Sequence, residues 1–343
     1  MFRGEVRRHA HTALAVALIA MALAPAARAD ESFDPDPGSS ATHALAAGEG
    51  RLVSVAADAD TESSLHRLVV GFGAAARRLA VRPSPEFGGV DVGTDSGGRA
   101  VVVYSRCPKG AFTPSCDLYT YSFARRSETR LRASSKRCAE TDPHVERGVL
   151  VFSRQPGASA ESSRSCPGGI YLRRPGRRAV RVVRPSTGRG YRSDFAGGLV
   201  AYSQTRSIEG SPEGDSETQV AEIRLLRLAD RRSRLVARAS FSSSRAGDEG
   251  TILSDPVLDG GFVHWRRTVA RSFEDPGPST VDIVRTPASG RGPTTTLERD
   301  GRLYSSGLSS FAVDGNALFY DAFEQGGPHP RIARVSPRPP TFR

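Results

Sequence analysis

The feature that most constrains this chain is a short apolar run that keeps returning. Residues 52–55, 100–104, 149–152, 199–202, 262–265 and 317–320 are mostly β-branched, aliphatic or aromatic, the composition of a buried strand. Each run has a glycine within the two residues before it, which supplies the positive φ that a tight hairpin needs. The last residues of the runs are Val55, Tyr104, Phe152, Tyr202, Trp265 and Tyr320, at intervals of 49, 48, 50, 63 and 55 residues. A polar loop and a second strand-like run follow each one, and several units show a third. Four strands in units of about 50 residues, repeated six times, predict an all-β chain: a six-bladed β-propeller with four-stranded antiparallel blades. The blades are expected near 41–86, 87–136, 139–185, 190–240, 252–299 and 303–343. A pair of β-sandwiches is the competing architecture, but sandwiches do not repeat this regularly. No later segment is apolar and long enough to span a membrane as a helix.

Two turns give the repeat a recognisable form. Phe311-Ala312-Val313-Asp314-Gly315-Asn316-Ala317-Leu318-Phe319-Tyr320 and Val257-Leu258-Asp259-Gly260-Gly261-Phe262-Val263-His264-Trp265 each place an Asp-Gly turn before an apolar run with a terminal aromatic. This pattern resembles the TolB-like six-bladed propellers of the WD40-like, PD40 repeat type, over nearly all of 41–343. The fuller Ser-Pro-Asp-Gly form is absent from every unit. The resemblance implies a scaffold for protein or ligand contacts and does not imply catalysis. The prolines at 337, 339 and 340 argue against a central strand after 331–335. The ring is therefore expected to close with a strand borrowed from 30–45, and Ala41 to Leu45 is a better candidate than the Asp34-Pro35-Asp36-Pro37 segment.

The N-terminus reads as a secretory signal, residues 1–29. Arg3, Arg7 and Arg8 precede an apolar run from Ala13 to Ala24, and Ala27-Arg28-Ala29 fits a cleavage site. The expected location is secreted or in the cell envelope. Export permits disulfides. Cys107 and Cys116 bracket a short Pro/Gly loop, so Cys107–Cys116 with Cys138–Cys166 is the preferred pairing among three. No Cys-x-x-Cys spacing supports a metal site.

Several of the innermost strand starts carry acids: Asp91, Asp142 with His144, Asp194 and Asp255. These five are the candidate ligand-binding residues, an acidic ring at one mouth of the channel suited to a cation or an amine. The alternative is that each Asp caps its own turn. His264 lies inside an apolar run and reads as a core residue. Asp58-Ala59-Asp60-Thr61-Glu62 lacks the glycine and distal glutamate of a calcium loop and reads as solvated. The loops at 209–217 and 273–278 are long enough to carry binding. No Gly-x-Ser-x-Gly elbow, paired-histidine motif or phosphate-cradling loop appears. No catalytic residue or cofactor is assigned.

The formal net charge is +11, and 46 of the 48 basic residues are arginine. The arginines come as pairs spread along the chain, as charged outer blade edges would require. The sequence thus predicts an exported, non-catalytic binding scaffold whose partner is an envelope protein or a polysaccharide, not a nucleic acid. Two alternatives stand: a glycan-acting hydrolase or lyase with carboxylates at the channel mouth, and a binder of anionic envelope polymers through an arginine-rich rim.

Overall fold

The computed structural model describes residues 31–33, 39–58, 65–71, 75–108, 116–131, 138–156, 166–184, 192–210, 216–244, 247–271, 280–300, 310–315, 317–322 and 331–335. The signal-like segment, the loop at 273–278 and most of the acidic stretch after Asp58 lie outside them. Among the described residues no helix is long and apolar enough to cross a membrane.

Among the described residues all regular structure is antiparallel sheet. A short strand, β1 (Glu31–Phe33), comes first. Then β2 (Ser39–Gly48), β3 (Arg51–Asp58), β4 (His66–Val70) and β5 (Arg77–Arg78) pair in order. The next sheet is β6 (Glu86–Thr94), β7 (Ala100–Cys107), β8 (Asp117–Ser122) and β9 (Ser127–Arg130). The third is β10 (Cys138–Glu146), β11 (Val149–Pro156), β12 (Gly169–Arg173) and β13 (Val180–Val183). An eight-stranded sheet follows. Its first half is β14 (Ser193–Ala196), β15 (Leu199–Gly210), β16 (Ser216–Arg227) and β17 (Arg232–Ser244). Its second half is β18 (Gly247–Asp259), β19 (Phe262–Ala270), β20 (Thr280–Pro287) and β21 (Thr295–Asp300). The last sheet is β22 (Phe311–Asp314), β23 (Ala317–Ala322) and β24 (Arg331–Val335), with β1 added outside β24.

The second strand of each repeat is buried on both faces, which is why it reads as an uninterrupted apolar run. In β7, Val102 and Tyr104 join a cluster with Val53 and Leu68 of the preceding sheet, while Val101 and Val103 pack with Leu150 and Phe152 of the following one. Leu52, Val102, Leu150, Val200, Val263 and Leu318 occupy the same register position in successive repeats, and none is more than 4% exposed. There is accordingly no single central core. Each apolar cluster fills the gap between consecutive sheets or sheet halves, and Leu45, Leu52, Ala312 and Phe319 fill the gap between the last and the first. The first strands neighbour one another in the same order, β2 with β6, β6 with β10, β10 with β14, β14 with β18, β18 with β22 and β22 with β2. Sheets stacked face to face around a common centre in this way make a β-propeller.

Two expectations need correction. The strand that joins the last sheet is Glu31–Phe33, paired with Arg334, Ala333 and Ile332, not Ala41 to Leu45. The latter stretch lies in β2, the first strand of the first sheet. The prolines at 35 and 37 follow the closing strand, and three residues before them suffice to cover the edge of β24. Second, 209–217 is not simply a loop. β15 runs to Gly210 and β16 starts at Ser216. The lengthened β17 then pairs with β18 through Phe241↔Gly250 to Ser244↔Gly247, which fuses two units into one sheet.

Both disulfides take the preferred pairing, Cys107–Cys116 and Cys138–Cys166. Each ties the outer end of a second or first strand to the chain that follows it. Glycine is required where first strands nearly touch. A Cβ on Gly93 would lie 1.8 Å from the carbonyl oxygen of Val145 in the next sheet. Gly98, by contrast, faces open space at φ +76. Gly93→Ala should therefore lower the unfolding free energy by about 3 kcal/mol through forced separation of β6 and β10. Gly98→Ala should cost only about 1 kcal/mol of backbone strain. Chemical denaturation of the two variants checks this, and equal losses would contradict the close approach.

Candidate functional site

The first strands start with a bulge. Register breaks fall between Phe87 and Val90, Thr141 and His144, and Ser254 and Val257. The residue at the bulge takes positive φ: Gly89 at 133°, Asp142 at 52° and Asp255 at 49°. Aspartate tolerates this region better than most residues. Pro143 and Pro256, which follow, have no N–H to leave unpaired in the broken ladder. Gly89 lets the backbone of Asp142 come close, since a Cβ there would lie 2.8 Å from the Asp142 Cα.

Two residues beyond the bulge, the strands are in register again. Ala46, Asp91, His144, Asp194, Val257 and Ala312 occupy equivalent positions, opposite Val53, Val103, Val151, Ala201, His264 and Phe319. Three consecutive strands thus present Asp91, His144 and Asp194 side by side, and the other three present apolar groups. The bulge tier holds Asp142, Arg192 and Asp255 on β10, the residue before β14, and β18. The expected acidic ring is in fact two arcs, one above the other.

The five expected residues do come together. His144 Nδ1 lies 3.0 Å from Asp194 Oδ1 and 3.9 Å from Asp91 Oδ2, and Nε2 lies 3.6 Å from Asp142 Oδ1. Arg192 links the second arc, 3.8 Å from Asp142 and 3.7 Å from Asp255. Asp255 is also paired with Arg266 at 2.8 Å. In sequence Arg266 reads only as half of the Arg266-Arg267 pair on an outer edge, and Arg192 carries no signal of its own. Arg192 stands at the bulge position of its repeat, where the neighbouring repeats carry Asp, and that alignment is the signal that could have found it.

Most of these carboxylates also hold the next unit. Asp91 Oδ2 accepts from the Val145 N–H at 2.8 Å, Asp142 Oδ2 from the Ser193 N–H at 2.5 Å and hydroxyl at 3.1 Å, and Asp194 Oδ2 from the Leu258 N–H at 2.5 Å. Glu146 Oε2 accepts from the Gly197 N–H at 2.7 Å. These carboxylates reach across to the next unit rather than capping their own turns, and the same bonds leave them facing the centre.

Burial pushes the Asp91 carboxyl up to about 7. The charge of His144 works against that rise and the charge of Asp194 adds to it. Burial disfavours the His144 cation, but Asp194 and Asp142 outweigh it and hold the imidazole protonated well above its ordinary value. Asp142 is held below the usual carboxylate range. Its burial is overcome by His144, Arg192 and the Ser193 amide. His264 behaves as expected of a core residue: it is buried, and desolvation with the nearby Arg285 charge lowers it to about 4.

Towards the hairpin turns the first strands enclose a cavity of about 280 Å³. Its walls include Asp91, His144 and Asp194, and one tier nearer the turns Glu146, Asp259 and Asp314, with Glu49 in the first turn. Sequence reading took Asp259 and Asp314 as turn residues and passed over Glu146. All three stand three positions before the buried second-strand run, so aligning the repeats by that run places them together. Burial and the neighbouring Asp314 and Asp194 charges raise Asp259, against the Gly315 amide that lowers it. Among the described residues no group of three His, Cys, Asp or Glu is arranged to hold a metal ion.

No protein-family model matches the sequence, and no curated protein sequence matches it. Among solved structures the chain is similar to the β-propeller domain of the Trilobed protease from Pyrococcus furiosus, at 10% identity and TM-score 0.48, over 87% of this chain and 95% of that one. It is also similar to Penicillium chrysogenum alpha-L-arabinanase complexed with arabinobiose, at 12% identity and TM-score 0.49, over 91% and 99%. A third is Pyrococcus horikoshii acylaminoacyl peptidase, at 8% identity and TM-score 0.47, over 88% and 50%.

The titrations predict a pH dependence. Below 3.8 the Asp91 carboxyl is protonated in folded and unfolded chains alike. Between 3.8 and about 7 only the unfolded chain ionises it, so stability falls as pH rises, by up to about 1.4 kcal/mol per pH unit. The raised His144 adds stability that is complete below 6.5 and lost as pH rises through its folded value. Asp142 opposes both at the acid end. Its contribution is present above 3.8 and lost as pH falls through its lowered folded value. Asp91→Asn should flatten the decline in unfolding free energy measured from pH 4 to 7. Curves for the two proteins that stay parallel would contradict it.

Proposed function

We propose that the chain is an exported, six-bladed propeller of the TolB-like type that acts as a non-catalytic binding module, and that its ligand is a cationic group. The eight-stranded sheet counts as two blades in this reading, with blades near 41–86, 87–136, 139–185, 190–240, 252–299 and 303–343 after a signal at 1–29. Two disulfides suit an oxidising compartment. The observation that carries the proposal is the central cavity, into which Asp91, Glu146, Asp194, Asp259 and Asp314 converge from successive first strands. A chain with a net charge of +11 concentrates acids there, and no arginine is among the described residues that line the cavity.

The cavity is at the small end of ligand sites, enough for an alkylammonium or guanidinium group. A lysine or arginine side chain of an envelope partner fits that description, as does a small amine. Binding suits the carboxylates better than turnover. Asp142 and Asp194 already hold a backbone amide with one oxygen and face His144 with the other. Such groups are fixed in place and poorly placed to act as nucleophiles. The test is calorimetric titration of the full chain with 1,5-diaminopentane and with glutarate, its dianionic counterpart. The diamine should bind in the millimolar range or tighter, weaken at least tenfold on Asp314→Asn, and outcompete glutarate. Equal affinity for both, or none for the diamine, would overturn the proposal.

One observation favours a second reading, a glycan-acting hydrolase. Asp91 is raised to about 7 while Asp142 is lowered, and two carboxyls whose titrations are driven apart can serve as acid and base. Release of reducing ends from a defined polysaccharide, lost in Asp91→Asn, would establish that reading over binding alone.

A further inference from the structure

The arginines are not spread evenly once ion pairs are considered. Arg99 pairs with Asp95, Arg106 with Glu128, Arg130 with Asp117 and Arg227 with Asp230. The buried Glu222 alone gathers Arg206, Arg224 and Arg238. The hairpin of β12 and β13 is different. Between Ser162 and Ser193 the sequence has nine arginines and no Asp or Glu. Arg173, Arg174, Arg177, Arg178, Arg181 and Arg184 lie on this hairpin, and all but the partly buried Arg173 are exposed. Among the described residues none of the six pairs with a carboxylate. The nearest partners are backbone carbonyls: Arg173 Nε donates to Arg177 O and Arg181 to Gly168 O, both at 3.4 Å.

Protection of a sheet edge does not require this. The neighbouring outer strand β9 is equally exposed, but its charges alternate and are paired, Arg130 with Asp117 and Glu128 with Arg106. Six like charges within twelve residues repel one another, and no carboxylate among the described residues offsets that cost. A polyanion would. The hairpin tip also shares a surface cavity with Asp95, Ser96 and Gly148 through Arg173, Arg174 and Pro175. It therefore stands on the face where the first-to-second-strand turns lie, out on a rim away from the central acids.

We propose that the β12–β13 hairpin is a docking edge for a linear anionic polysaccharide. The guanidinium fork pairs with carboxylate or sulfate in two parallel bonds, and this hairpin carries six such forks within twelve residues. Nucleic acid is the poorer fit. Stacking of bases needs exposed aromatics among the cations, and the one aromatic in the hairpin, Tyr171, is buried with its ring against Phe152 and capped by Arg154. A lipid surface is also a poorer fit, because Val180 is the hairpin's only exposed large apolar residue among those described.

The experiment measures binding of the full, disulfide-bonded chain to sodium polygalacturonate across 50 to 200 mM NaCl. A single-stranded oligonucleotide, anionic phospholipid vesicles and neutral dextran serve as comparators. The triple variant Arg174→Gln, Arg177→Gln, Arg178→Gln is set against Arg99→Gln, Arg130→Gln, Arg227→Gln, which removes the same charge from paired positions. The hairpin variant should bind at least tenfold more weakly at 50 mM salt, with its salt slope reduced by about two to three. The paired-site variant should change by less than threefold. If the hairpin variant does not fold, modification of the native protein with phenylglyoxal gives the answer: polygalacturonate should shield Arg174, Arg177 and Arg178 ahead of other arginines. Equal losses in the two variants, no binding of polygalacturonate, tighter binding of oligonucleotide or vesicles, or uniform shielding would each overturn the proposal.

Discussion

The interaction on which the rest depends is a carboxylate of one first strand accepting a hydrogen bond from a first-strand amide of the next unit. Consecutive first strands belong to different sheets or sheet halves and share no ladder, so amides that point toward the centre have no partner from secondary structure. Left unpaired in a buried setting, each would cost about 1–3 kcal/mol. Asp91 serves Val145, Asp142 serves Ser193 and Asp194 serves Leu258, and Glu146 makes an exposed bond of the same kind to Gly197 in the turn after β14. An ionised acceptor makes the stronger kind of bond, which suits Asp142, held below the usual carboxylate range, more than Asp91, which keeps its proton to about 7. The same requirement lines the centre with carboxylates, so the seam between units and the wall of the cavity are one set of residues.

Concentrating carboxylates has its own cost, and the structure offsets it locally. His144 stands among three of them and is held as a cation, and Arg192 and Arg266 do the same for the bulge tier. Asp91, the least compensated of the inner arc, responds by holding its proton to about 7. The arginines outside the centre follow the opposite logic. Among the described residues ten of them pair with an acid, among them Arg99, Arg106, Arg130 and Arg227, whereas none of the six on the β12–β13 hairpin does.

Much of the fold was legible because burial on both faces leaves a plain mark on a second strand. Val102 and Val263 are invisible to solvent, and the runs containing them stand out in the sequence. The five site residues were legible for a related reason: His144 and Asp194 stand five residues before such a run, Asp142 and Asp255 seven, and a longer turn puts Asp91 nine before its own. What could not be read is governed by partners remote in sequence or by polar segments. Glu31–Phe33 is too short to show a period, and its partner strand is about 300 residues away. The fusion of β17 to β18 runs through Ser242, Ser243 and Ser244, which have no apolar alternation to announce a strand. Asp259 and Asp314 looked like turn residues because they are, and only the register shows that their turns also rim a cavity.

The central claim is that the carboxylate-to-amide bonds hold the units together and fix the acidic site at once. Hydrogen exchange resolved by residue tests it most directly, with the amides of Val145, Ser193 and Leu258 followed in the native protein and in Asp194→Ala. The account predicts that all three are strongly protected in the native chain. In the variant, Leu258 should lose at least tenfold of its protection, and Val145 should lose some too as His144 is released. Protection of Leu258 unchanged in Asp194→Ala would contradict it.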